Sequence, residues 1–181
     1  QDGKIDRINI GYQTGGTTYL DKYQYSYNTA GQVDVLKEEG GDEYRYAYAN
    51  GQLVAVNHFV TGVKMDYKLF NYVGAGTRIA SIEEYHKPYP NYPGFEFTFQ
   101  KNFSYYAEGN LKEEVSYQID NNGQYIKHQT LTYENYDQRI NIDHIYKSFL
   151  YMSGIKLTAN NATQLVRKDE LSGITNTYNY Q

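Results

Sequence analysis

The chain contains no cysteine and no tryptophan, and only 3 prolines in 181 residues. Without cysteine there can be no disulfide, no thiol nucleophile and no thiolate metal site. No run approaches the ~20 consecutive apolar residues that a membrane-spanning helix needs. Charge of one sign is also scarce. A net charge of −4 and a pI near 5.6 leave no basic footprint for nucleic acid or for an anionic membrane surface. All three prolines fall in His86-Lys87-Pro88-Tyr89-Pro90-Asn91-Tyr92-Pro93-Gly94, so this stretch cannot be a central strand. It is expected to be a loop internal to a single domain covering residues 1–181, a length that can bury a real core.

What is abundant is tyrosine, with 23 residues, and it is arranged in a recurring phrase. Tyrosines at alternate positions lead into a glycine turn, and aliphatics follow. The phrase reads Tyr23, Tyr25, Tyr27 into Gly31 and Val33-x-Val35, then Tyr44, Tyr46, Tyr48 into Asn50-Gly51 and Leu53 to Val56. Looser copies run from Tyr67 and Leu69 through Gly74-x-Gly76 to Ile79, and from Phe103 and Tyr105 through Gly109 to Leu111. Each copy is a β-hairpin, because aromatic and β-branched residues cover a pleated, half-buried surface well. A further hairpin is expected across Asp120-Asn121-Asn122-Gly123.

Asn50-Gly51 predicts a two-residue type I′ turn, since both positions tolerate positive φ. Plain alternation then sets Tyr48 opposite Leu53, Tyr46 opposite Ala55 and Tyr44 opposite Asn57. The turn glycines at 31, 51, 76 and 109 are unevenly spaced, which fits decorated hairpins rather than a rigid solenoid. The expected fold is all-β: an antiparallel meander of ten to fourteen strands, curled into an open or closed barrel. One short helix is expected near 142–153, where Ile142, Ile145, Tyr146, Phe149 and Leu150 share a helical face.

These hairpins resemble the YD (RHS-type) repeats of bacterial surface proteins, without the Tyr-Asp dipeptide itself. More of the chain resembles a family of bacterial secreted lipoproteins with a porin-like fold. That resemblance rests on the successive Tyr-rich hairpins, the apolar segment 142–155, and Asn160-Asn161-Ala162-Thr163-Gln164-Leu165-Val166 followed by Tyr178-x-Tyr180. Ala162 and Gln164 depart from the proline and lysine common there. The resemblance implies export by a Gram-negative cell, to the periplasm or the outer membrane. The membrane attachment it implies is a lipid anchor on a cysteine upstream of Gln1, and a start at Gln1 without methionine reads as a mature or trimmed chain. It carries no activity and no functional residue.

Candidate chemistry is sparse. Glu38-Glu39, Glu83-Glu84 and Glu113-Glu114 look like paired carboxylates, but neighbours on a strand point to opposite faces and cannot serve one cleft. They read as solvated, aggregation-resisting strand edges. His58, His86, His128 and His144 lack metal-ligand spacing, and Asp143-His144 has no serine placed to complete a triad. Asp120 to Gly123 lacks the alternating ligands of a calcium loop, and no helix follows Gly74-Ala75-Gly76 to make a phosphate loop. No cofactor is expected.

The tyrosines carry two readings. In one they are packing rows that glue neighbouring hairpins. In the other, Tyr23, Tyr25, Tyr27, Tyr44, Tyr46 and Tyr48 form a platform contacting a glycan or an extended peptide. The expected function is that of a monomeric, non-catalytic binding module. The alternatives are a glycan-directed hydrolase and a small outer-membrane barrel. Burial of the middle tyrosines, Tyr25 and Tyr46, would favour packing.

Overall fold

The computed structural model describes residues 4, 6–74, 76, 78–140 and 160–180. The helix expected near 142–153, together with His144, lies outside the described residues. The described chain forms twelve strands. The first six are β1 (Arg7–Thr14), β2 (Thr17–Tyr27), β3 (Val33–Glu38), β4 (Asp42–Ala49), β5 (Gln52–Val60) and β6 (Val63–Tyr72). The rest are β7 (Ile79–His86), β8 (Glu96–Tyr105), β9 (Leu111–Ile119), β10 (Tyr125–Ile140), β11 (Asn160–Asp169) and β12 (Thr175–Asn179). All belong to one 12-stranded sheet in strictly sequential order, every neighbouring pair antiparallel. Among the described residues neither edge strand pairs with the other, so the sheet they form is not closed. The Pro-rich stretch from Lys87 onward is the loop joining β7 to β8, while His86 is the last residue of β7.

The predicted type I′ turn is present, with Asn50 at φ 51° and Gly51 at φ 79°. Tyr48 faces Leu53 as plain alternation requires. Beyond that pair the expected register fails. Ala47 faces Ala55, Tyr46 faces Val56 and Tyr44 faces His58, because the register shifts between Ala47 and Tyr48. One extra residue on the returning strand is a β-bulge, and it returns the next apolar side chain to the core face three positions on instead of two.

The same shift recurs at the same place in four hairpins. It lies between Ser26 and Tyr27, Ala47 and Tyr48, Asn71 and Tyr72, and Ser104 and Tyr105. Each returning strand therefore shows the core a pair spaced by three: Val33 and Leu36, Leu53 and Val56, Ile79 and Ile82. The fourth pair is Leu111 and Glu114. Against them stand Tyr25, Tyr46, Phe70 and Phe103, which face Leu36, Val56, Ile82 and Glu114 in turn. All eight of these facing side chains are buried. Tyr25 and Tyr46 are 3% and 6% exposed, as the packing reading expects.

The repeats are stitched together by tyrosine hydroxyls. Tyr48 donates to the carbonyl of Val33 (2.9 Å), Tyr72 to that of Leu53 (2.8 Å) and Tyr105 to that of Ile79 (2.9 Å). Tyr136 continues the series on the carbonyl of Leu111. The acceptor is always the first core residue after the preceding turn. Burial pushes the Tyr48 and Tyr105 hydroxyls up to about 12, so they stay protonated donors at ordinary pH. A parallel rail runs at the turns, where Gln32 Nε2 donates to the Gly51 carbonyl and Gln52 Nε2 to that of Gly76. In the next repeat the Arg78 guanidinium fills this position, and a Cβ at Gly109 would lie 2.8 Å from its Nη2. Asn110 ends the rail by pairing with Asn160.

A candidate binding surface

Alternation gives the sheet two chemically distinct faces. The core face holds the six tyrosines named above. Tyr23, Tyr25 and Tyr46 are buried in the core cluster, and Tyr27, Tyr44 and Tyr48 pack against it half-buried. They are brought together, but as one packed body under the sheet's apolar side.

Polar groups share this face, in ion pairs. His58 is clamped between two carboxylates, with Nδ1 2.7 Å from Asp66 Oδ2 and Nε2 3.0 Å from Asp42 Oδ2. The Tyr44 ring stacks on the imidazole at 4.4 Å and 7°. Burial works to lower the His58 pKa, but the hydrogen bonds and charges of Asp66 and Asp42 outweigh it and hold the pKa above its ordinary value. The clamp can hold an imidazolium, and among the described residues no hydroxyl or thiol nucleophile joins it. Sequence spacing could not show this group, since its members come from three strands.

Glu83 and Glu84, like Glu113 and Glu114, point to opposite faces, but Glu38 and Glu39 line one shallow cleft, because β3 ends at Glu38 and strand alternation no longer separates them. The expectation of solvated edges is also corrected at Glu84 and Glu114. Their strands, β7 and β9, are internal to the sheet. Glu84 pairs with Lys68 at 3.0 Å, and Glu114, 7% exposed, pairs with Lys101 at 2.5 Å. Glu114 occupies the place that Leu36, Val56 and Ile82 hold in the other repeats, and a carboxylate there needs its lysine. Asp120 caps its hairpin turn by accepting from the backbone N–H groups of Asn122 and Gln124.

The opposite face is polar over β2 to β4, with Lys22, Gln24, Lys37, Glu43 and Arg45 directed away from the core. Two shallow clefts of about 410 and 470 Å³ lie there, sharing Gln24 and Lys37. Lys22 pairs there with Glu39 at 2.8 Å and Glu43 with both Arg45 and Lys37, while Arg7 and Glu38 also line the first cleft.

Over β6 to β10 the same face changes character. A continuous row of rings crosses five strands. Tyr67 stacks on Tyr85 at 4.8 Å and 6°, Tyr85 meets Phe97 edge-on at 5.6 Å, Phe97 reaches Tyr125 at 5.5 Å, and Tyr125 stacks on Tyr117 at 4.9 Å and 7°. Phe95 abuts Tyr67 at one end, with Lys64 Nζ 4.1 Å from the Tyr67 centroid and Lys87 Nζ 4.9 Å from that of Phe95. Tyr125 is 47% exposed, and the other rings of the row are half-buried against one another. A belt of amides and hydroxyls flanks the rings. Tyr85 donates to Glu83 and Tyr125 to Gln100, Gln100 donates to Asn102, and Asn71 donates to Ser81 and Glu83. None of these rings belongs to the Tyr-x-Tyr-x-Tyr triplets that drew attention in the sequence. The signal that could have found them is the face opposite the ladder, read with the bulges counted.

No protein-family model and no curated protein matches the chain. Two solved structures share its architecture. A porin-like protein from Bacteroides uniformis matches at 15% identity and a TM-score of 0.53, over 97% of this chain and 82% of that one. A porin-like protein from Bacteroides vulgatus matches at 13% identity and a TM-score of 0.55, over 93% and 83%. At these identities the likeness is one of fold alone: the chain has the fold of these porin-like Bacteroides proteins.

Proposed function

We propose that the protein is a non-catalytic binding module of the bacterial cell envelope, with its ligand taken on the ring row Tyr67, Tyr85, Phe97, Tyr125 and Tyr117. The observation that carries this reading is the row itself. A continuous aromatic path on the hydrophilic side of a sheet, apart from the core cluster, is the kind of surface that marks an interaction site. The two clefts support binding over catalysis, because five of the seven charged side chains that line them pair with each other. The fold shared with porin-like proteins supports an envelope location, and the resemblance to secreted lipoproteins supports a lipid anchor as the means of attachment. Lipid contact through the strands is disfavoured, since each Lys or Arg of the β2–β4 face would cost roughly 2–4 kcal/mol at a bilayer midplane.

Two measurements test the reading. Fractionation of the native cell is expected to find the protein with the periplasmic or outer-membrane proteins, and recovery from the cytoplasm overturns the location. A ligand is expected to raise the melting temperature while itself remaining intact, because binding only the folded state stabilises it. Release of cleavage products from that ligand would overturn the non-catalytic assignment.

A further inference from the structure

The occupant of the ring row can be narrowed by its neighbours. We infer that the row and its polar belt bind a linear glycan laid across strands β6 to β10, an inference that rests on the binding-module reading above. At the ordinary strand spacing of about 4.8 Å, a row crossing five strands extends roughly 19 Å, a length suited to a chain of sugars rather than to one. Sugar rings present apolar C–H faces and hydroxyl edges at once. The rings Tyr67, Tyr85, Phe97 and Tyr125 offer the apolar path, while Glu83, Gln100, Asn102 and Asn71 offer donors and acceptors alongside it.

An extended peptide fits this place poorly. Peptides recognised as strands join a sheet edge and pair through main-chain hydrogen bonds. Strands β7, β8 and β9 are internal, with a hydrogen-bonded neighbour on both sides. Single-stranded nucleic acid also stacks on aromatics, but it needs a basic groove along its backbone. Here Glu83 stands in the belt and the chain's net charge is −4.

The experiment is affinity electrophoresis of the full chain through gels containing mixed-linkage β-glucan, xylan, α-mannan or dextran. The variants are Tyr85→Ala/Tyr125→Ala for the rings and Gln100→Ala/Asn102→Ala for the belt. Tyr178→Ala, an exposed ring on β12, is the control. The wild type is expected to be retarded by at least one polysaccharide. Both double variants should bind it about tenfold or more weakly, as when an aromatic anchor is truncated, and the control should match wild type. If the alanine ring pair melts early, Tyr85→Phe/Tyr125→Phe keeps both rings and must still weaken binding through its lost hydroxyls. Retardation in none of the gels, or retardation that survives both double variants, overturns the inference. A fluorescein-labelled casein digest run in parallel separates the two claims. Peptide binding that the ring variants abolish, without glycan binding, removes the glycan and leaves the module. Binding of neither probe counts against both.

Discussion

On the core face, Tyr48, Tyr72 and Tyr105 each end in a hydroxyl anchored on a backbone carbonyl one hairpin away. On the opposite face, Tyr67, Tyr85, Tyr117 and Tyr125 meet ring to ring, and the hydroxyls of Tyr85 and Tyr125 go to exchangeable side chains, Glu83 and Gln100. The difference is one of commitment. A ring whose hydroxyl holds main chain and whose body packs against the core cluster cannot leave without breaking the register. A ring held by a neighbouring ring and a side-chain amide can trade those contacts for a ligand. The same residue type is cement on one face and available surface on the other.

The largest effect should come from truncating the buried rings. Tyr46→Ala or Tyr25→Ala is expected to lower stability by about 3 kcal/mol, the range for removing a large core aromatic. Tyr85→Ala on the opposite face should cost under about 1 kcal/mol, the worth of a cross-strand pair. Denaturant melts measure both. Equal losses for Tyr46→Ala and Tyr85→Ala would erase the distinction between the faces.

Next is the fourth repeat, where Glu114 stands in an aliphatic place. Replacing the pair together, Lys101→Met with Glu114→Leu, restores the pattern of Leu36, Val56 and Ile82. Buried ion pairs often do no better than apolar isosteres, so stability should stay level or rise by up to about 2 kcal/mol. A clear loss for the double variant, seen in the same melts, would mean the charge pair has a role beyond satisfying itself.

A single hydroxyl is the next step down. Tyr72→Phe keeps the ring and removes the donor to the Leu53 carbonyl, so it should cost about 1 kcal/mol, as a net intramolecular hydrogen bond does. Hydrogen exchange should also quicken across β5 and β6 before it does elsewhere. Uniform exchange throughout the sheet would show that the hydroxyl is not a stitch between repeats.

The meander, its strand count and its turns could be read directly, because Gly31, Asn50-Gly51, Gly109 and Gly123 punctuate runs rich in tyrosine and aliphatics. The register beyond each turn could not be read by strict alternation. The apolar spacings Val33–Leu36, Leu53–Val56 and Ile79–Ile82 do encode the bulges, since three positions apart is impossible for one face of an unbroken strand. The ring row stayed hidden for a different reason. Its members are spread over β6 to β10 as single residues, and only lateral pairing brings them together. The tyrosine triplets were conspicuous because every second residue along the strand, and so each successive one on a single face, was aromatic, and that density is what a core needs.

The smallest effect, and the one that probes the polar part of the core face, is the pH response of His58. Its pKa in the folded chain is raised above the ordinary value of about 6.5 by the hydrogen bonds and charges of Asp66 and Asp42, which overcome the effect of burial. A group whose pKa is raised by folding contributes stability that is complete below the unfolded pKa. That contribution disappears as pH climbs through the folded value. The protein should therefore melt at progressively lower temperature from about pH 6.5 upward. Glu38 acts from lower on the scale: burial and the charges of Asp42 and Asp21 raise its carboxyl above the ordinary value of 4.5, so its own loss of stability begins as pH climbs from there. The ladder hydroxyls of Tyr48 and Tyr105 take no part in this window, since burial keeps them protonated well above it. His58→Gln retains hydrogen-bonding capacity without a titratable ring, so its melting temperature should be flatter over the same range. If the wild-type and His58→Gln curves run parallel from pH 5.5 to pH 9, the imidazole between the two aspartates contributes nothing as a charge, and the clamp is held by hydrogen bonding alone.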